Sequence, residues 1–220
     1  MNLPTLLGTL GTSALLLGLV ACDANPAKGK AQATASEPVV AAAAPASAVK
    51  YAFSGVDSKI DFVGAKVTRK HDGSFQTFTG TVNLVDNDPT KSSVAAEVDV
   101  ASLKTDEEKL TAHLKTPDLL DAAKYPKATF TSTAIRAGGD KGATHTVTGN
   151  LQLHGVTKSI TFPATLKTSG DAVDVDSEFA INRKDFGVVY PGMPDDLIKD
   201  DVLLKLHLHA SKAPGERSSL

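Results

Sequence analysis

Between residues 59 and 209 apolar and polar side chains alternate almost one for one, and that alternation leaves few folds open. Successive side chains of an extended strand point to opposite faces, so a period of two marks half-buried antiparallel strands. Ile60 and Phe62 alternate with Lys59 and Asp61, and Phe78, Gly80, Val82 and Leu84 with Thr77, Thr79, Thr81 and Asn83. Val94, Ala96, Val98 and Val100 alternate with Ala95, Glu97 and Asp99; Phe130 lies between Thr129 and Thr131. Val147, Gly149, Leu151 and Leu153 alternate with Thr148, Asn150 and Gln152, and Ile160, Phe162, Ala164 and Leu166 follow. Then come Val173, Val175, Phe179 and Ile181, and Val202, Leu204, Leu206 and Leu208 close the set with Lys205, His207 and His209 on the opposite face. The pattern predicts about eight strands with one apolar face each.

Turn residues separate these runs at His71-Asp72-Gly73, Asp86 to Thr90, Gly138-Gly139-Asp140, His154-Gly155 and Ser169-Gly170-Asp171. One interruption reads as helix: Thr105 and Glu108 have the spacing of a capping box, Leu110, Leu114 and Leu119-Leu120 give an apolar side, and Tyr125-Pro126 ends it. Eight such strands either pack as two sheets or close into a barrel. A barrel of that size is filled by side chains or holds one small ligand. The inner residues are mostly Val, Leu, Ala and Gly, and the chain has no Trp, so composition permits a cavity.

Charge and chemistry exclude several classes of function. With 23 basic and 25 acidic residues the net charge is −2, which provides no field to draw nucleic acid. The single cysteine allows neither an intrachain disulfide nor a thiolate metal site. No Gly-x-Ser-x-Gly, His-Glu-x-x-His, P-loop or dinucleotide glycine pattern is present, so no catalytic residue, metal or cofactor is expected. His207 and His209 share a strand face beside Lys205 and read as a solvated outer surface rather than a metal pair. His154 reads as a turn residue, and Arg183 with Asp185 as an internal ion pair holding the loop to Pro191-Gly192.

The N-terminus reads as an address. Residues 1–21 form a signal peptide whose apolar core, Leu6 to Leu19, is too short to span a bilayer. It runs into Leu19-Val20-Ala21-Cys22, which resembles the lipobox at which bacterial lipoproteins are cut and lipidated on the cysteine. Asp23 after it resembles an inner-membrane retention signal, which implies an envelope protein tethered to a membrane. Residues 22–49 are Ala- and Pro-rich and read as a flexible tether, residues 213–220 as a polar tail, and residues 50–212 as one domain.

Within that domain the residues resemble a known family. Ser58-Lys59-Ile60-Asp61-Phe62, then His71-Asp72-Gly73-Ser74-Phe75 leading to Phe78-Thr79-Gly80, are similar to the opening of the YceI-like domain. "HLKTPDLLDAAKYPKATFTS", "GNLQLHGVTKSITF" and "NRKDFG" complete the resemblance in family order over residues 51 to 210. The resemblance implies an all-β, eight-stranded antiparallel, lipocalin-like barrel with one short helix inserted between strands. It also implies a periplasmic, non-catalytic protein holding a polyisoprenoid, quinone or fatty-amide type of lipid in an apolar tunnel.

The inward faces then supply the candidate ligand contacts: Ile60, Phe62, Phe78, Val82, Val98, Phe130, Leu151, Leu153, Ile160, Phe162, Phe179, Leu204 and Leu206. The basic residues Lys66, Arg69 and Lys70 either meet a head group or form a solvated hairpin. A different function stays open. If Phe62, Phe78, Phe130, Phe162 and Phe179 fill the barrel, the domain is an interaction module for an envelope redox or stress-response partner. A pairing of two barrels is compatible with either.

Overall fold

The computed structural model describes residues 25–213, so the apolar leader, Cys22 and residues 214–220 lie outside the described part. In chain order the elements are β1 (Ala31–Gln32), β2 (Thr34–Ser36), β3 (Val49–Ser54), β4 (Lys59–Ala65), β5 (Lys70–Phe75), β6 (Phe78–Val85), β7 (Asp88–Asp99) and β8 (Leu103–Thr105). Helix α1 (Glu108–Leu114) follows, then β9 (Lys127–Ala137), β10 (His145–Leu153), β11 (Val156–Thr168), β12 (Ala172–Asn182), β13 (Gly192–Met193), β14 (Asp196–Leu197) and β15 (Asp201–Lys212).

Eight of these close a ring in the order β3, β6, β7, β9, β10, β11, β12, β15, with every neighbouring pair antiparallel. The structure is therefore a closed eight-stranded antiparallel barrel with a single short helix. Tyr51, Phe53, Val82, Phe162, Phe179 and Leu208 belong to one core inside it. Closing the sheet removes its open edges, and burying each such side chain contributes about 1.5–3 kcal/mol.

Three strands of the sequence pattern are longer than one barrel wall, and they bend. Residues 49–65 run along β15 as β3 and then β4: Ala52 lies opposite Ser211, and Phe62 opposite Leu204. Residues 70–85 bend in the same way from β5 into β6, and 88–105 from β7 into β8. Serine hydroxyls staple the elbows. Ser58 Oγ accepts from the His209 amide at 3.0 Å. Ser102 Oγ accepts from the amides of Gln76 and Thr77 at 3.2 and 3.0 Å and donates to the Asp99 carbonyl at 2.6 Å. Backbone groups freed by the bends thus keep partners, which buried polar groups require.

Several local expectations change. His71-Asp72-Gly73 is strand β5 rather than a turn, because Gly73 lets the Phe62 ring of the facing strand lie over the backbone where a Cβ would collide. The capping box does not form: Thr105 ends β8, its hydroxyl donates to the Glu107 carbonyl at 2.8 Å, and Glu107 caps α1 without a side-chain bond. The helix stops at Leu114 rather than at Tyr125, since Pro117 excludes helical backbone at the residue before it.

The stretch expected as a structureless tether contains β1 and β2, which join the wall at β12 and β11. Its strand signal is faint because the inward residues are Ala31, Ala33 and Ala35, whose small methyl groups scarcely register as an apolar face. The turn at His154-Gly155 is as expected, with φ of 50° and 75° at its two residues.

Candidate ligand-binding cavity

The barrel interior is not filled. It holds two lobes, of about 130 Å³ and about 230 Å³, whose walls share Ile60, Val98, Ala128 and Leu151. The smaller, inner lobe lies among β7, β9, β10, β11, β12 and β15. The larger, outer lobe lies beyond the elbows, between β4, β5 and β8 on one side and Leu110, Leu114, Leu119 and Leu120 of the α1 region on the other. The α1 segment bridges β8 to β9 and roofs that lobe.

Both walls are almost wholly carbon. Lys66, His71 and Arg183 border the outer lobe, but their aliphatic and ring carbons, not their polar atoms, face it.

Eleven of the thirteen candidate contacts line these lobes. Phe130, Ile160, Phe162, Phe179 and Leu206 line the inner one, Phe62, Leu153 and Leu204 the outer one, and Ile60, Val98 and Leu151 both. Phe78 and Val82 are placed elsewhere: they pack in the barrel core away from either lobe.

The phenylalanines do not plug the space because they stack along the wall. Phe162 and Phe179 are parallel with centroids 4.1 Å apart, and Phe130 tilts against Phe162 at 5.7 Å. Gly149 leaves room for the Phe130 ring, as Gly73 does for Phe62.

Sequence alternation missed the roof leucines as a cavity wall, since a seven-residue helix and the turns after it have no period of two. It also missed Val188 and Ile198, which reach the outer lobe from irregular chain.

A buried arginine organises that rim. Arg183 donates from Nη1 to the Val188 carbonyl at 2.6 Å, from Nε to the Lys199 carbonyl at 3.1 Å, and from Nη2 to the Ile198 carbonyl at 3.4 Å and Asp200 Oδ1 at 3.3 Å. Burial lowers its pKa, and the Asp200 carboxylate opposes that effect. The expected partner Asp185 is not used. Asp200, fifteen residues beyond it, lies at the start of the return to β15, where the fork can also collect three carbonyls.

Two more basic side chains of the rim and one histidine are likewise engaged, while Lys70 is exposed at the start of β5. Lys66 pairs with Asp196 at 3.4 Å, Arg69 with Glu107 at 3.7 Å, and the buried His71 with Asp106 at 3.0 Å through Nδ1. Thr68 holds Asp196 from the other side with its amide and hydroxyl. On the far surface, His207 and His209 face outward, each 2.6 Å from Asp176 and Asp174 on the neighbouring strand. His154 meets the Phe186 carbonyl at 3.3 Å and the Tyr125 ring edge-on.

With the cavity described, comparison with known proteins gives it a context. The model of the YceI-like domain matches residues 51–210. A UPF0312 protein of Pseudomonas putida strain W619 is 33% identical over 153 residues, covering 67% of this chain and 77% of its own. A UPF0312 protein of Pseudomonas savastanoi pv. phaseolicola is 35% identical over the same length.

Among solved structures, BcnA of Burkholderia cenocepacia superposes with a TM-score of 0.63 at 28% identity, covering 71% of this chain and 98% of BcnA. A domain from Saccharophagus degradans described as polyisoprenoid-binding superposes with a TM-score of 0.59 at 18% identity, covering 75% and 99%. The family model spans the barrel from Tyr51 in β3 to Ala210 in β15, elbows and roof included, and the chain belongs to the YceI-like family.

Proposed function

We propose that the protein binds a long-chain amphiphile of isoprenoid or fatty-amide type and serves as a carrier or store at the bacterial cell envelope, held to a membrane through a lipid on Cys22. The observation that carries this reading is the pair of adjoining, carbon-lined lobes at the centre of the barrel. Such a space offers nothing to a polar solute. It gains about 25 cal/mol for each Å² of hydrocarbon it takes out of water. The shared fold with a domain described as polyisoprenoid-binding supports the same class of cargo.

The rim narrows the head group. Lys66, Arg69, His71 and Arg183 are already engaged by acids or carbonyls of the chain. An anionic head would have to displace those partners or turn to the exposed Lys70, whereas a neutral one, such as a quinone, an alcohol or an amide, needs neither. Around the same rim Val67, Val189, Met193 and Leu197 are exposed, which suits approach to a lipid surface.

The volume also bears on chain length. An apolar cavity of about 150 Å³ takes up one benzene, so the two lobes together accommodate on the order of fifteen carbons unless a wall moves.

Native mass spectrometry of residues 23–220 produced in a bacterium, followed by organic extraction, tests the proposal. The expected result is an adduct that extracts as a neutral isoprenoid or fatty amide. A bare mass that stays bare after incubation with quinones, polyprenols and fatty amides would contradict it, and would favour an interaction module instead.

A further inference from the structure

Between β11 and β12 the ring strands close the barrel over only part of their length. The two pair directly only where Thr165–Thr168 meet Val173–Asp176. Beyond that they part, and β12 continues along β15 as far as Asn182. Residues 31–36 fill the opening. Thr34–Ser36 run antiparallel to Ser159–Thr161, Ala31–Gln32 run parallel to Phe179–Ala180, and the Ala33 amide donates to the Ala180 carbonyl at 2.8 Å. The inward side chains of this strap are Ala31, Ala33 and Ala35, packed on the core that includes Ile160, Phe162 and Phe179 of the inner lobe. At this place the strap covers, from the solvent side, the side chains of Ile160, Phe162 and Phe179 that line the inner lobe.

Its attachments are weak compared with the rest of the wall. An alanine buries the least apolar area of any side chain but glycine, so the strap's hydrophobic hold is small. Lys30 with Glu178 and Lys158 with Glu37 are ion pairs at 2.6 and 2.7 Å, both on the exposed surface where such pairs contribute little. The Asn150 side chain holds the Val39 backbone just past the strap. By contrast β10 pairs with β11 continuously from His145 to Leu153. A segment with few apolar contacts and few backbone bonds opens locally before the fold as a whole.

We propose that residues 30–37 form a gate strand that peels from β11 and β12 while the barrel stays folded, opening a side entrance to the inner lobe. The gate rests on the reading of the cavity as a lipid site. It gives a chain longer than the resting lobes a way to lie partly in the opened gap. It also places the entrance. With residues 22–49 as a free tether, the barrel could stand as far as about 90 Å from an anchor at Cys22. With the strap docked, at most about 30 Å of chain separates Cys22 from Ala31, so the gate is held near the anchor.

The test uses the mature chain with Cys22→Ser, which leaves no native thiol, and adds Thr34→Cys and Thr161→Cys at positions directly opposite in register. N-phenyl-1-naphthylamine serves as the cavity probe. The expected result is probe release slowed about tenfold on oxidation and restored on reduction, with Ala33→Asp releasing about tenfold faster than the parent. Amide exchange at Ala33 is expected to be at least about a hundredfold faster than across β9 and β10 in the same protein.

Identical release from the oxidised and reduced forms, or strap amides that exchange only together with β9 and β10, would overturn the gate. Failure of every form to take up probe would overturn the cargo reading instead, and the exchange comparison would then decide the strap alone.

Discussion

Glycine and phenylalanine share one task inside this barrel: at several places a ring lies over the backbone because a neighbouring residue has no side chain. Gly73 under Phe62 and Gly149 beside Phe130 are such places. Gly73→Ala or Gly149→Ala is therefore expected to destabilise by about 1–3 kcal/mol through overpacking, read as a lowered denaturant midpoint with an unchanged slope. Gly64 is the control. Its Cβ would meet nothing within 4 Å because it would point into open space beside the outer lobe. Gly64→Ala is expected to be neutral or stabilising by about 0.4–1 kcal/mol, from loss of unfolded-state freedom. Equal losses at all three positions would refute this assignment of the rings. Phe162→Ala removes the middle ring of the stack and should cost about 3–5 kcal/mol by chemical denaturation.

Asp196 gives the rim a pH dependence of known sign. Burial pushes its carboxyl up, but hydrogen bonds from Thr68 and the Lys66 ammonium outweigh that and leave it below the ordinary 3.8. A lowered folded value means the stabilisation is complete above the unfolded value and is lost as pH falls through the folded one. The β13–β14 hairpin is expected to become protease-sensitive only below about pH 4, and Asp196→Asn should abolish that dependence. Cleavage independent of pH in the parent protein would contradict the role given to this carboxylate.

At the scale of elements, what pattern reading recovers depends on whether both faces of a strand differ in kind. β6, β10, β11 and β15 alternate large apolar with polar residues, and their inner faces were legible. The strap β1–β2 alternates alanine with Gln, Thr and Ser, a contrast too small to distinguish from a linker. β5 contains His71, Asp72 and Gly73, which have the composition of a turn, and only the facing Phe62 explains why they are extended. The bends at Ser58 and Ser102 depend on hydroxyls reaching backbone groups of other strands, which no local pattern encodes.

The cavity was legible as a set of inward residues but not as a shape. Its roof depends on how the α1 segment crosses from β8 to β9. Arg183 shows the same limit: that it would be internal followed from its setting, but its partners lie on a loop that returns from far along the chain. Arg183→Lys keeps the charge and loses the fork, so it should free carbonyls at Val188 and Ile198 and destabilise by about 1–3 kcal/mol. Hydrogen exchange should rise in residues 187–199 before the rest of the barrel; a uniform rise would show that Arg183 supports the whole fold instead.

At the scale of the molecule, a closed sheet, three elbows and a helical roof enclose two adjoining apolar lobes with four wall residues in common, and a short strand from upstream fills the gap between β11 and β12. The account stands on those lobes receiving hydrocarbon. The chain contains no tryptophan, so a single one introduced on β9 reports its own surroundings without background. Phe130 lines the inner lobe, while Thr131, next to it, is exposed on the outer face. The decisive measurement is fluorescence quenching of Phe130→Trp and Thr131→Trp by an eighteen-carbon amide brominated on its chain, since bromine quenches only near contact. Saturable quenching of the inner reporter with the outer one unchanged is the predicted result. Equal quenching of both, or of neither, would contradict a lipid-binding interior.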